Sequence, residues 1–177
     1  FPTRRSSDLH EVFGHGYRFR EFDFKSIGYY VGYKHGYTDP AHTSYNTNLS
    51  NTLAEPKKAA ISAAGMEANA VFSQQIRENW IFDNKIDRRE AWLYLITSLD
   101  QSEYIMITDD DETSLGNDVY AYVNEVNAWY QNAHLSPHKL HRYALWDLLD
   151  PSLYLGLYTV GDYLLKGTPH LPMPMLH

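Results

Sequence analysis

Residues 10–15 read His-Glu-Val-Phe-Gly-His, and this stretch constrains the fold more than any other part of the chain. Two histidines four residues apart on a helix share a face and can hold one metal ion. Here the spacing is five, and five steps of about 100° turn the second ring roughly 140° away from the first. The pair therefore predicts a helix that is locally widened by a π-type bulge, and Gly14 tolerates that distortion readily.

The residue types in this stretch indicate a particular metal chemistry. His10 and His15 offer neutral ring nitrogens that suit Zn²⁺, and a Glu directly after the first His can take a proton from a metal-activated water. We therefore expect Zn²⁺ as the cofactor, His10 and His15 as two of its ligands, and Glu11 as the general base.

A third ligand is predicted from a long helix that spans about residues 54–82. Glu67 lies in a strip of small side chains that would let another helix backbone come close, formed by Ala60, Ala63, Ala64 and Ala70. A carboxylate in such a strip needs a compensating positive partner, and a metal ion provides one. Glu67 is the predicted ligand, with Glu55 and Glu78 as weaker competitors.

The six-residue form His-Glu-x-x-Gly-His resembles the zinc motif of the dipeptidyl-peptidase III family within the glutamate-zincin class. In that family the third ligand is a Glu on a helix some fifty residues downstream, and Glu67 lies 52 residues after His15. The resemblance covers the motif and this spacing only. It implies a zinc-dependent peptidase that uses His10, His15 and Glu67 as ligands and Glu11 as base.

Other aromatic and His residues are candidates for substrate binding or for stabilising a transition state. Tyr29 and Tyr33 fall in a segment that alternates with period two, and an extended peptide could pair with such a strand. His138 and His141 begin a later helix and are most simply solvated, although one of them could serve as the oxyanion donor.

Composition narrows the class of partner. The net charge is −7 and the Lys and Arg residues are scattered, so no nucleic-acid partner is expected. The chain contains no cysteine, which removes thiolate chemistry and disulfides. No apolar run approaches the roughly 20 residues of a spanning helix, so no transmembrane span is predicted, and association with a membrane surface stays open. The expected partner is a peptide or protein substrate.

The predicted fold is mainly helical α+β. The motif helix is followed by a small sheet or hairpin within residues 22–33, a loop over 34–52 that is a candidate for part of a cleft wall, and about five helices. After the helix over 54–82, these helices cover about 87–107, 114–132, 137–149 and 151–166. Residues 1–9 resemble a translated sequencing adapter, so we expect a single, N-terminally truncated metallopeptidase-like domain over 10–177.

The alternative is a non-catalytic zinc-binding or scaffold domain, associated with membranes through its Tyr-rich and C-terminal apolar surfaces. Glu11 argues against it, because a purely structural zinc site needs no base and usually fills all four positions with protein ligands. The sequence therefore favours a zinc-dependent hydrolase that cleaves peptide bonds.

Overall fold

Helices make up most of the described chain. The computed structural model describes residues 9–30, 42–45, 52–83, 87–109 and 117–167. A π-helix, Leu9–His15, leads directly into the short helix α1, Gly16–Glu21. The remaining helices are α2, Glu55–Asp83; α3, Arg88–Ile107; α4, Asp118–Trp129; α5, Pro137–Asp147; and α6, Pro151–Lys166. The predicted mainly helical α+β class is confirmed.

The helices begin and end where the sequence supplies capping groups. Asp87 accepts a hydrogen bond from a backbone N–H of α3 and forms a capping box with Glu90. Ser136 and Asp150 accept backbone N–H groups at the starts of α5 and α6, each just before a proline. Gly167 ends α6 with a φ of 69°, a backbone conformation that glycine adopts without strain.

The predicted small sheet is present as two antiparallel strands, β1, Gly28–Tyr30, and β2, His42–Ser44. Gly28 pairs with Ser44 and Tyr30 pairs with His42. β2 falls within the segment predicted as a loop, because three residues are too few to establish an alternating pattern. Of that segment, the structure describes residues 42–45 and 52.

The start of the predicted strand region is not a strand. Phe22 caps the end of α1, and Phe24 is buried with its ring centroid 5.0 Å from that of Phe19. The alternation of Phe22 and Phe24 therefore reflects a turn that returns one aromatic ring to the core.

α2 is the central helix of the structure. It packs against the π-helix, α3 and α4, while α5 and α6 pack on α3. One core cluster joins α2 to α3 and α6 through Ile76, Trp80, Ala91, Tyr94 and Val160. A second joins α2 to α3, α4 and α5 through Met66, Ile105, Val119 and Ala144. The second cluster reaches the motif through Tyr104, which packs against it and whose ring centroid lies 6.3 Å from that of His10.

Several large apolar side chains on α5 and α6 are exposed, among them Trp146 at 70% and Leu165 at 87%. These helices are short, and none of the helices in the described ranges is both long and apolar enough to cross a membrane. That agrees with the absence of a predicted spanning segment.

Candidate metal centre

The motif helix is widened as the five-residue spacing predicts. Residues Leu9–His15 form a π-helix, in which each hydrogen bond spans five residues, so His10 and His15 lie on one face. Their Nε2 atoms are 3.1 Å apart. The predicted π-type distortion is confirmed.

The π-helix lies unusually close to α2 because both helices are built from small residues at their contact. A Cβ added to Gly14 would lie 2.6 Å from the Ala64 carbonyl oxygen and 2.6 Å from the Gly65 Cα. A Cβ added to Gly65 would lie 2.3 Å from His10 Nε2. The close approach predicted for the small-residue strip is therefore present, and it places the His10 ring directly over the α2 backbone.

Asp118, at the start of α4, is the third member of the cluster. Its Oδ2 accepts hydrogen bonds from His10 Nε2 at 2.8 Å and from His15 Nε2 at 3.0 Å. Among the described residues, these three side chains form the group of His and carboxylate ligands able to hold a metal ion. A possible metal-binding site therefore lies between the π-helix and α4.

Glu67 does not take the position predicted for it. Its Oε2 accepts a hydrogen bond from Arg18 at 2.9 Å, and its side chain is 57% exposed. The His10 ring contacts Gly65, and two residues of α2 turn Glu67 about 160° from that side of the helix. The charge of Glu67 is therefore compensated by an exposed ion pair with Arg18. The carboxylate that contacts both histidines belongs to Asp118 instead.

Neighbouring groups orient the ligands. His15 Nδ1 donates a hydrogen bond to the Ile61 carbonyl at 2.7 Å, which directs Nε2 toward the cluster. The Asp118 backbone N–H donates to the Tyr104 hydroxyl at 3.2 Å. Burial, followed by the Asp118 charge, raises the pKa of Tyr104 to about 12, so this hydroxyl stays protonated. Such outer contacts hold metal ligands in position.

The three ligand atoms fit a small tetrahedral ion. Ligand atoms at about 2.0–2.1 Å from Zn²⁺ are separated by roughly 3.3 Å when the geometry is tetrahedral. Here the three separations are 2.8, 3.0 and 3.1 Å. Shifts of a few tenths of an ångström therefore separate this arrangement from a three-ligand site with an open fourth position.

The cluster is electrostatically coupled. Burial disfavours the charged form of His15, but the hydrogen bond and the charge of Asp118 outweigh it, so the pKa of His15 is raised. Burial likewise opposes ionisation of Asp118, and the hydrogen bonds from His10 and His15 outweigh it, so the pKa of Asp118 is lowered. The negative charge of Asp118 and the positive charge of His15 therefore stabilise each other within the cluster.

This coupling predicts a pH window for the metal-free protein. The raised pKa of His15 contributes stability that is fully present below about pH 6.5 and lost as pH rises through the folded value. The lowered pKa of Asp118 contributes above about pH 4 and is lost as pH falls through its folded value. In chelator, Asp118→Asn is expected to lower the free energy of unfolding by about 1–2 kcal/mol near pH 5 and by less at pH 9.

The measurement is urea denaturation of both proteins at several pH values, with exposed Asp83→Asn as the matched control. A loss for Asp118→Asn that is equal at pH 5 and pH 9 would contradict an ion pair with His15.

Glu11 is buried beside the cluster, on the wall of a cavity of about 380 Å³. The Thr43 hydroxyl, on β2, lies 2.7 Å from Glu11 Oε2 and 3.0 Å from the Glu11 carbonyl oxygen. His15 and Asp118 line the same cavity. Two carboxylates and one imidazole therefore line the same cavity, with β2 forming part of its wall.

The other predicted site residues that the structure describes do not line this cavity. Tyr29 lies on β1, where its hydroxyl accepts a hydrogen bond from Arg20 at 2.5 Å, and Tyr33 lies outside the described residues. His141 Nε2 donates to the Thr108 carbonyl at 3.0 Å, and its ring lies 5.5 Å from that of His138. Neither of these His residues is among the described residues that line the cavity.

Sequence reasoning missed Asp118 and Thr43. Asp118 stands 103 residues after His15 in the first turn of a helix, where acidic residues are common for reasons of capping alone. A weak signal exists, because Asp118, Ala121 and Glu125 recur at helical spacing and share one face. Thr43 falls in a segment without periodicity and carries no comparable signal.

No protein-family profile, curated protein or solved structure matches this chain.

Proposed function

We propose that this protein is a zinc-dependent hydrolase of the metallopeptidase type. The observation that carries the proposal is the convergence of His10, His15 and Asp118 on one point beside buried Glu11. Two imidazoles and one carboxylate are a ligand set typical of catalytic zinc, since three protein ligands leave one position open. A bound zinc ion supplies Lewis acidity toward water and toward a carbonyl group.

Each residue of the site then has a defined role. His10, His15 and Asp118 hold the ion, and the Ile61 carbonyl fixes the ring orientation of His15. Glu11 takes the proton of the attacking water, with its carboxylate positioned by the Thr43 hydroxyl. The cavity volume of about 380 Å³ lies within the range typical of small-ligand sites.

Burial of Glu11 supports the base role over a structural one. Its residue exposure is 6%, yet its described hydrogen-bond partner is a neutral hydroxyl. A buried carboxylate is costly unless positive charge lies nearby, and a metal ion at the adjacent cluster would add to the charge that His15 can supply. A base beside an open metal position is what hydrolysis requires, whereas a structural site has no use for it.

The proposal predicts that Glu11→Gln retains zinc but loses peptidase activity. Amide and carboxylate have the same shape, so the ligands stay in place, while the lost base lowers kcat roughly a hundredfold. Zinc per chain is measured by mass spectrometry, and cleavage is followed with a mixture of fluorescence-quenched peptides.

About one zinc per chain, with cleavage by the wild type and not by Glu11→Gln, supports the proposal. Zinc without cleavage in either protein favours the non-catalytic zinc-binding domain. No zinc in the wild type overturns the metal site and the function together.

A further inference from the structure

Besides Glu11 and Asp118, a further carboxylate lines the same cavity as the candidate metal centre. Glu125 follows Asp118 by seven residues on α4, and both line the cavity. Seven helical steps return the side chain to within about 20° of the same face and advance it by about 10 Å. The cavity therefore has a metal-binding end and, roughly 10 Å away, an acidic end.

The carboxylate of Glu125 accepts a hydrogen bond from a neutral hydroxyl group. The hydroxyl of buried Ser62 donates to Glu125 Oε2 at 2.8 Å. Lys58 also lines the cavity, but its Nζ donates to Glu55 Oε1 at 2.8 Å. Within the described ranges, no Lys, Arg or His forms an ion pair with Glu125. The ammonium group of Lys58 is thus paired with Glu55 and not with Glu125.

The surroundings of Glu125 disfavour its negative charge. Burial, together with the charges of Glu55 and Asp118, raises the pKa of Glu125 against the opposing effects of Ser62 and Lys58. The charged form of a half-buried carboxylate in such surroundings is stabilised when a ligand brings a positive charge. The acidic end of the cavity is therefore suited to a cationic group.

We propose that Glu125 is the specificity-determining residue of this cavity and binds an ammonium or guanidinium group of the peptide substrate. The inference rests on the proposed function, because it places a cation about 10 Å from the bond that is cleaved. Two sources fit that span. A Lys or Arg side chain supplies roughly 6 Å of that distance beyond its Cα. A free amino terminus is separated from the cleaved bond by roughly 10 Å when about three extended residues lie between them.

The test measures binding rather than cleavage and uses the zinc-loaded full chain with Glu11→Gln, so that peptides stay intact. One arm compares an acetylated peptide amide containing Lys with the same peptide containing norleucine. The other compares the norleucine peptide with a free and with an acetylated amino terminus. In one arm, the cationic member is expected to bind about tenfold more tightly by calorimetry, and that arm identifies the source of the charge.

Added to this background, Glu125→Gln is expected to abolish the tenfold difference and to change the Kd of the neutral peptide less than twofold. Exposed Glu78→Gln, on α2 and outside the lining of the cavity, is the matched control. Lys58→Met is expected to increase the difference, because it removes a positive charge from the cavity wall. Circular dichroism and zinc content establish that each variant is folded and loaded.

Two results overturn the inference. One is a preference for cations that persists in Glu125→Gln, and the other is no preference or no binding in either arm. Both can occur while the zinc and Glu11 experiments succeed, so failure of the subsite is distinguishable from failure of the proposed function.

Discussion

Replacing Asp118 with Ala is expected to lower zinc affinity on the order of 10³-fold, while Glu67→Ala changes it less than twofold. Asp118 Oδ2 lies within 3.0 Å of both His Nε2 atoms, whereas Glu67 pairs with Arg18. Zinc bound by four ligands gains roughly 10–16 kcal/mol, so one ligand accounts for up to about 4 kcal/mol, which is close to a thousandfold. Competition with a chromogenic chelator measures the affinity.

The two variants separate the site in the structure from the site predicted by sequence. Asn117 caps α4 through its own side chain, so the helix is expected to keep its start in Asp118→Ala. Loss of zinc in Glu67→Ala, with retention in Asp118→Ala, would restore Glu67 as the third ligand. Circular dichroism of both variants checks that each result reflects metal binding and not unfolding.

Gly14→Ala is expected to lower the free energy of unfolding by about 3 kcal/mol or more. Its Cβ would lie 2.6 Å from two backbone atoms of α2, at Ala64 and Gly65, and backbone atoms cannot rotate aside. Overpacking usually costs about 1–3 kcal/mol, and here the π-helix must also separate from α2. Chemical denaturation in chelator measures the loss without any contribution from metal.

Two further glycines provide the matched controls for this prediction. A Cβ at Gly161, inside α6, meets nothing within 4 Å, so Gly161→Ala should stabilise the protein by up to about 1 kcal/mol. A Cβ at Gly65 meets the His10 ring, which can rotate, so Gly65→Ala should cost less stability than Gly14→Ala and still weaken zinc binding. A Gly14→Ala variant as stable as the wild type would contradict the close packing.

Local geometry made part of this site predictable. Two histidines five positions apart cannot share a face in a regular helix, so the spacing of His10 and His15 alone predicts the widened turn. The small residues of α2 predict a close neighbour for the same reason, since only short side chains permit it. The caps at Asp87, Ser136 and Asp150 are local in the same sense, because each depends on residues within one turn.

The position of Asp118 beside the two histidines could not be predicted in the same way. Its position depends on how α4 packs against α2 and the π-helix, and that packing joins residues more than a hundred positions apart. Glu67 has the spacing of a ligand but lies on the side of α2 that faces Arg18. Helical spacing identifies which residues share a face, and tertiary packing decides which face meets the metal site.

The contact between His10 and Asp118 also bears on how the protein unfolds. It joins residues 108 positions apart in a chain without cysteine, and therefore without disulfide cross-links. An ion bound to both residues in the folded chain would be released on unfolding, because the unfolded chain no longer brings them together, so its stabilising effect would grow with the logarithm of the free ion concentration. The midpoint of thermal unfolding should therefore rise with the concentration of free zinc, and a chelator should lower it.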